Sequence, residues 1–266
     1  MYWQKRFGRP NKDEEIEQEI LSLRELHKNY GYRRIVQMLR KMGLTINHKK
    51  VQRIMKKLAL QVTAFTRKTR KYNSYRGQYN LIAPNRLNHR FDTSVPHQKI
   101  TTDTSEFKYV EKDKYGILQT KKAYLDPFMD LYNREIISYT LEKTPSANAI
   151  MEGVSKAIAI TSDCPYRRTF HSDQGWGYQM NRYQAVLQEN NVFQSMSRKG
   201  NCLDNSPMEN FFGLLKQEVY YGRTFSSFEE LNQSISDWIH YYNHKRIKEK
   251  LDWLSPIEYR LAAEAA

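Results

Sequence analysis

From Gln98 onward the chain runs through three β-branched and aromatic segments, 99–110, 120–128 and 135–141, with turn signals at Asp113–Gly116 and Asp130–Arg134 between them. A stretch at 146–160 then takes up helical periodicity, with Ala149, Ile150, Val154, Ala157 and Ile158 making its apolar face. A short strand ending at His171, a helix near 178–190 and a short strand around 192–196 follow. A meander of three strands followed by alternating helix and strand predicts an α/β fold, a mixed sheet flanked by helices. That order of elements is the strongest constraint the sequence carries.

Three carboxylates fall where such elements present a side chain. Asp103 stands on the first strand in Ile-Thr-Thr-Asp-Thr-Ser, and Asp173 just after the fourth in His-Ser-Asp-Gln-Gly-Trp-Gly-Tyr. Glu209 lies early in a helix within Asn-Ser-Pro-Met-Glu-Asn-Phe-Phe-Gly-Leu-Leu-Lys, residues 205–216. Adjacent strands lie ~4.8 Å apart, so Asp103 and Asp173 can share a metal if their strands are neighbours. All-oxygen sites hold Mg²⁺, and two such ions drive in-line displacement at phosphorus. On a helical projection Glu209 and Lys216 fall within about 20° of each other, two turns or ~10 Å apart. They share the face away from Phe211, Leu214 and Leu215. Glu218 projects into the apolar stripe, so the helix ends before it or its charge is paired. Each acid alone reads as a surface residue; the set, with a basic partner, points to cutting or joining nucleic acid.

The formal net charge of +14 is concentrated at one end: residues 1–71 hold 19 Lys/Arg against 6 Asp/Glu. Such a local excess is the footprint of a polyanion-binding module. Residues 13–28 read as a helix, with Ile16, Ile20, Leu23 and Leu26 approximating one face. A second helix spans 33–41, with Ile35, Met38 and Leu39 on one side, and Gly43 is placed to end it. Asn47 can cap a third helix whose stripe of Val51, Ile54, Met55 and Leu58 opposes Lys49, Lys50, Arg53, Lys56 and Lys57. Three short helices, the last amphipathic and basic with no acid of its own on that face, fit a helix-turn-helix whose final helix approaches DNA. His27 and His48 have no cysteine partners nearby, which disfavours a zinc-stabilised module. In 66–97, Arg67, Lys68, Arg70 and Lys71 interleave with Tyr72, Tyr75 and Tyr79, a pattern that fits a strand-tracking segment and a solvated linker equally well. Cys164 and Cys202 show no ligand spacing and suggest a reducing compartment, and no stretch reaches the length of a membrane span. A cytoplasmic protein is expected.

Thr-Thr-Asp, His-Ser-Asp-Gln-Gly and Asn-Ser-Pro-Met-Glu-Asn-Phe-Phe with Leu-Lys together resemble the bacterial insertion-sequence transposases related to retroviral integrases. So do Tyr-Tyr-Asn-His-Lys-Arg and Leu-Ser-Pro-Ile-Glu-Tyr further on. The chain is similar, more narrowly, to the product of the second of two overlapping reading frames in such elements. The resemblance reaches the N-terminal module through Tyr30-Gly-Tyr-Arg-Arg-Ile and Asn47-His-Lys-Lys-Val. It implies a ribonuclease-H-like catalytic core in which Asp103, Asp173 and Glu209 bind two Mg²⁺ ions, with Mn²⁺ able to substitute. One ion would activate a water, later a DNA 3′-hydroxyl, and the other would stabilise the leaving 3′ oxygen. It implies no covalent protein–DNA intermediate. Lys216 matches a lysine that grips the element end, and Asn205 stands where integrases place a polar DNA-contacting residue. Phe212 departs from their pattern, which has Asn there. The family joins one element end to the other on the same strand, making a branched intermediate and then a circle. Its implied partners are double-stranded DNA, further copies of the chain on that DNA, and the first-frame product as a fusion or separate chain; its implied location is the bacterial nucleoid.

After the core, Ser227 with Glu230 spells a capping box, and Phe228, Leu231, Ile235, Trp238, Ile239 and Tyr242 form a long stripe expected to pack on the core. Arg246, Lys248 and Lys250 beyond it are candidate DNA contacts. The expected organisation is a basic DNA-binding module at 1–65, a linker at 66–97, the catalytic core at 98–220 and a helical extension at 221–266. Two other readings stay open at this point: a metal-dependent nuclease that cuts without joining, and a catalytically inactive DNA-binding regulator.

Overall fold

The computed structural model describes residues 11–64, 82–198 and 202–265, apart from the Cys202 side chain. The basic and aromatic positions Arg67 to Tyr79 lie outside the described residues. The chain divides into two compact units, Met1–Thr69 and Arg70–Ala266.

In the first unit three helices pack together: α1 (Glu14–Leu26), α2 (Tyr32–Lys41) and α3 (His48–Lys57). Ile20 and Leu23 of α1, Ile35, Val36 and Leu39 of α2, and Val51, Ile54 and Met55 of α3 are buried, with Tyr30 and Ile46 from the connections. Gly43 ends α2 at φ +88°, a left-handed conformation that a side chain would strain. The Asn47 side chain accepts from the Lys49 N–H at 2.8 Å and caps α3. One apolar position departs from expectation. Leu26, at the end of α1, is 72 % exposed, while Glu17 is buried. The reason is electrostatic: the Glu17 carboxylate lies 2.6 Å from the Lys57 ammonium and also accepts from Asn11.

The second unit is built on a six-stranded mixed sheet. Its elements in chain order are β1 (Lys99–Thr102), β2 (Ser105–Lys112), β3 (Leu118–Asp130), β4 (Ile136–Glu142), α4 (Ala147–Ile160), β5 (Thr169–Ser172), α5 (Asn181–Glu189), β6 (Phe193–Met196), α6 (Ser206–Leu215), α7 (Phe228–His244) and α8 (Pro256–Glu264). β1 and β2 pair with the same side of β3 in one continuous antiparallel register, and β4 pairs antiparallel with its other side. β5 lies parallel to β1, and β6 parallel to β5. This is the mixed sheet flanked by helices that the order of elements predicts, and it agrees with the ribonuclease-H-like core that the resemblance implies.

Alternation along the strands sends Ile100 and Phe128 to one face, where they meet Ile150, Val154 and Ala157 of α4 and Tyr183 and Leu187 of α5. Phe107, Tyr109, Ala123, Leu125 and Met129 turn to the other face, under Met208, Phe211 and Leu215 of α6 and Leu231, Ile235 and Ile239 of α7. The stripe on α7 therefore packs on the core. Its start is capped by Ser227, which accepts from the Glu230 N–H at 3.0 Å. The return bond of the expected box goes elsewhere, since Glu230 accepts from the N–H and hydroxyl of Ser226. A complete capping box forms instead at α8, between Ser255 and Glu258. Glu218 is resolved in both of the expected ways. At Lys216 the α6 helix passes into a single π turn, Lys216–Tyr220, and the Glu218 carboxylate meets the Arg246 guanidinium at 2.8 Å and the Trp238 Nε1–H at 2.9 Å.

Candidate active site

The expected first strand, 99–110, is interrupted after Thr102, and β3 shows why. The Leu131 N–H donates to the Lys99 carbonyl at 2.8 Å, so the odd-numbered residues of this strand turn their backbone groups toward β3. The register pairs Thr102 with Phe128 and Ser105 with Leu125, which sets Asp103 opposite Pro127. Proline has no N–H to give, so the ladder fails at Asp103 and the strand breaks there. The carboxylate of Asp103 turns back to accept from the Thr104 N–H at 2.8 Å.

On its other side β1 runs parallel to β5, with Thr101 paired to His171. Two residues further along both strands, that register brings Asp103 beside Asp173. The neighbouring-strand condition set by the sequence is met. Asp173 is held by a tight turn in which its Oδ1 accepts from the Gly175 N–H at 2.8 Å. A Cβ at Gly175 would stand 2.8 Å from that same oxygen, so only glycine leaves the carboxylate in place.

Glu209 comes from α6, whose start is fastened to β1 by Asn205. The Asn205 Oδ1 accepts from the Thr101 hydroxyl at 2.6 Å, and its Nδ2 donates to the Thr102 carbonyl at 3.0 Å. Asn205 was expected to meet DNA. It is buried instead, with both ends of its amide engaged inside the protein, and its work is to seat the helix that carries Glu209. Phe212, the other departure, is buried in the core beneath α6.

Two residues without an expected role complete this frame. His171, fully buried, bonds Ser195 Oγ through Nδ1 at 2.8 Å, and Ser197 Oγ and the Asp204 carbonyl through Nε2 at 3.1 and 2.9 Å. A carbonyl only accepts, so Nε2 carries the proton. Burial drops its pKa to about 4, and the ring is neutral. The buried Asp204 carboxylate accepts from the backbone and guanidinium of Arg198 and meets His89 at 2.7 Å. Arg198, foremost, holds it well below the usual carboxylate range. Together they tie β5, β6 and the turn before α6 into one block. The one sequence signal for His171 was its place two residues before Asp173 on a buried strand.

Charge accumulates where the acids converge. Burial first, then the charge of Asp173, with Glu209 and Asp126 adding, push Asp103 well above its ordinary range; the Thr104 N–H pulls the other way. Burial also raises Asp173 and Glu209. Asp126, on β3 and nearly inaccessible, is pushed up to about 6 by burial. As placed, no group of three or more His, Cys, Asp or Glu side chains among the described residues is positioned to hold a metal ion. An all-carboxylate donor set is of the kind that suits a hard divalent cation.

The sign of the pH effect follows from Asp126. Its folded pKa exceeds the ordinary 3.8, so its contribution to stability is present below pH ~4 and lost as pH rises through about 6. His171 acts oppositely between about 4 and 6.5, so the difference between variant and parent is the quantity to read. Asp126→Asn is expected to stabilise the metal-free protein by up to about 3 kcal/mol at pH 7.5 and by little at pH 4. Paired denaturation curves at the two pH values check this, and an equal effect at both contradicts it.

The cations are more committed than the sequence suggests. Lys216, the first residue of the π turn, has its ammonium 5.0 Å from the centre of the Phe107 ring. On α3 the basic face does have acids against it, supplied by α1: Asp13 meets Lys50 at 2.8 Å and Arg53 at 2.6 Å, and Glu17 meets Lys57. Lys50, followed by Arg53, lowers the Asp13 carboxyl. Lys49 and Lys56 are exposed, with no ion pair among the described residues. Beyond α7, Arg246 is buried against Glu218, and Lys248 donates to the Tyr242 hydroxyl at 2.6 Å. Of the three candidate DNA-binding cations there, only Lys250 is exposed. No helix among the described residues is long and apolar enough to cross a membrane.

Comparison with known proteins gives matches over both units. Integrase core domain models match residues 94–202 and 209–262, and an HTH-like domain model matches residues 10–69. A transposase-like protein of Haemophilus influenzae is 49% identical over 82% of this chain and 94% of its own length. The putative transposase InsK for insertion sequence element IS150 of Escherichia coli is 41% identical over 97% of this chain and 87% of its own. A probable transposase for IS1353 of Shigella flexneri is 31% identical over 98% of this chain but only 49% of its own length. Among solved structures, the HTLV-2 integrase catalytic core domain in complex with magnesium aligns at a TM-score of 0.42 and 13% identity, covering 58% of this chain and 91% of that one. Sequence matches of this identity and coverage, over both units, establish that the chain belongs to the retroviral-integrase-like DDE transposases of bacterial insertion sequences.

Proposed function

We propose that Asp103, Asp173 and Glu209 are the catalytic carboxylates of this transposase and hold its divalent ions, two Mg²⁺ with Mn²⁺ as a substitute. The observation that carries the reading is the arrival of Asp103 and Asp173 at the ends of adjacent parallel strands, with the charge of Glu209 felt at Asp103. Bound there, the ions would supply charge stabilisation to the attacking and leaving oxygens of in-line displacement at phosphorus. The chain does the positioning. Pro127 breaks the strand so that Asp103 is presented, Gly175 leaves room for Asp173, and Asn205 with His171 fixes the start of the helix that brings Glu209. Lys216 neutralises a phosphate beside the acids. Residues 98–220 act as the catalytic core, 221–266 as its helical extension, and 66–97 as the connection from the DNA-binding module at 1–65, its later part packed on the core through Leu87, His89 and His97.

The joining assay tests this. A duplex carrying the element's terminal repeat, pre-cut to expose its 3′-hydroxyl, should be joined to target DNA in Mg²⁺ and merely bound in Ca²⁺. Cutting of intact ends without joining of pre-cut ends would leave a nuclease; binding without either would leave a regulator.

The first unit acts as the DNA-binding module through α3. Lys49 and Lys56 bind phosphate directly, while Lys50, Arg53 and Lys57 exchange their α1 acids for DNA. Neutralising all five should flatten the slope of log K against log salt by about 0.9 for each phosphate no longer neutralised. Asp13→Asn with Glu17→Gln should tighten binding, because the acids no longer compete. Titrations at several salt concentrations check both expectations, and an unchanged slope would remove α3 from the interface. The family works as an assembly on DNA, and here the protein would act as several copies in the bacterial cytoplasm, at the nucleoid. A working form that also contains the first-frame product is part of this reading.

A further inference from the structure

We propose that Asp126 is a positioning residue for Asp103, acting through Thr104; the proposal rests on the catalytic assignment of Asp103. The register places Asp126 opposite Thr104, the pair adjoining Asp103 and Pro127. Because the odd-numbered pairs are the hydrogen-bonded ones, Asp126 and Thr104 form the close, non-bonded kind, whose side chains touch on one face of the sheet. There the Thr104 hydroxyl donates to Asp126 Oδ1 and lies 3.3 Å from the Tyr178 hydroxyl. Tyr178, itself buried, reaches the Thr102 hydroxyl at 3.3 Å on the other side of the break.

This small network does what the ladder cannot. Pro127 gives no hydrogen bond to the backbone at Asp103, and Thr104, in a non-bonded pair, turns its own backbone groups away from β3, so this stretch loses its one donated bond from β3. Thr104 is nevertheless the residue whose N–H fixes the Asp103 carboxylate, at 2.8 Å. Its hydroxyl, held by Asp126 and flanked by Tyr178, supplies the missing anchor from the face opposite α6. Asp126 lies on the α4 and α5 side with Phe128, whereas α6 brings Glu209 from the other side. Asp126 thus stands behind the catalytic acids and orients one of them, as the outer partners of metal ligands do.

The test uses the full chain, a pre-cut element end and a Mg²⁺ titration of the joining rate. Asp126→Ala should lower the saturated rate about 10- to 100-fold and raise the half-saturating Mg²⁺ concentration, with DNA affinity unchanged. Asp126→Asn, which still offers Oδ1 to Thr104, should recover most of the loss. Thr104→Val should match Asp126→Ala, Thr104→Ser should resemble the parent, and the Thr104→Val/Asp126→Ala double variant should be no worse than either single. Thr104 is solvent-exposed, so its variants stay informative if Asp126→Ala folds poorly. Parental rate and Mg²⁺ dependence in Asp126→Ala or in Thr104→Val would overturn the proposal. So would an Asp126→Asn as impaired as the alanine, or losses that multiply in the double variant. Asp103→Asn in the same assay separates the two levels. If it is active, the catalytic reading falls; if it is inactive beside a fully active Asp126→Ala, only the positioning role falls.

Discussion

Asp103→Asn, Asp173→Asn and Glu209→Gln are each expected to reduce both strand cleavage and 3′-end joining by on the order of 10³-fold or more, with the fold and DNA affinity retained. The size of the loss follows from the donor set. Each substitution removes one full negative charge from a site whose neighbouring charges are all carboxylates, and an amide is a poor ligand for a hard divalent ion. The fold should survive because the charges are costly to the metal-free protein. Asp103 is raised first by burial and then by Asp173, so neutralising either acid relieves strain between them. The same variants should therefore melt at or above the parental temperature without metal, and gain less than the parent when Mg²⁺ is added. An Asp173→Asn protein that still cuts and joins would refute the assignment. One that melts well below the parent would show that the carboxylate is a structural group.

Arg246→Ala or Glu218→Ala is expected to destabilise the second unit by about 3–5 kcal/mol, the largest stability effect of any single substitution considered. The two side chains are only 3% and 2% exposed, and their ion pair is made through both guanidinium Nε and a terminal nitrogen. Removing either partner strands a charge in the core. The Trp238 Nε1–H, which also donates to Glu218, makes the glutamate loss the worse of the two. Replacing both at once, Glu218→Leu with Arg246→Met, should recover much of the loss, because no buried charge remains and only the indole N–H is unpaired. Urea denaturation of the parent, the singles and the double gives the comparison. Singles that lose less than about 1 kcal/mol would mean that water reaches the pair. Arg246 was a candidate DNA contact by sequence; on this geometry its substitution lowers stability before it touches DNA binding.

The sequence by itself determined whatever depends on neighbours along the chain. The amphipathic stripe of α3, the Asn47 cap, the glycine stop after α2, the strand-forming runs that become β3 and β4 and the start of α7 at Ser227 all follow from local composition, periodicity and capping chemistry. They stand where the residues place them. The three acids proposed as catalytic also stand in short runs, each with its own turn or helix signal. Only the tertiary structure decided which distant groups meet. Asn205 looks like a surface amide in sequence, yet Thr101, 104 positions away, takes its oxygen and turns it inward. The basic face of α3 contains no acid in its own helix, yet α1 folds back and sets Asp13 and Glu17 against three of its five cations. Pro127 reads as an interruption of β3, but its consequence falls on Asp103 across the sheet, and Asp126 reaches the site only because the register lands it on Thr104. Such pairings are set by strand register and helix packing across the whole unit. A local pattern contains the propensity to form each element, but not the identity of the side chain that another element will bring to it.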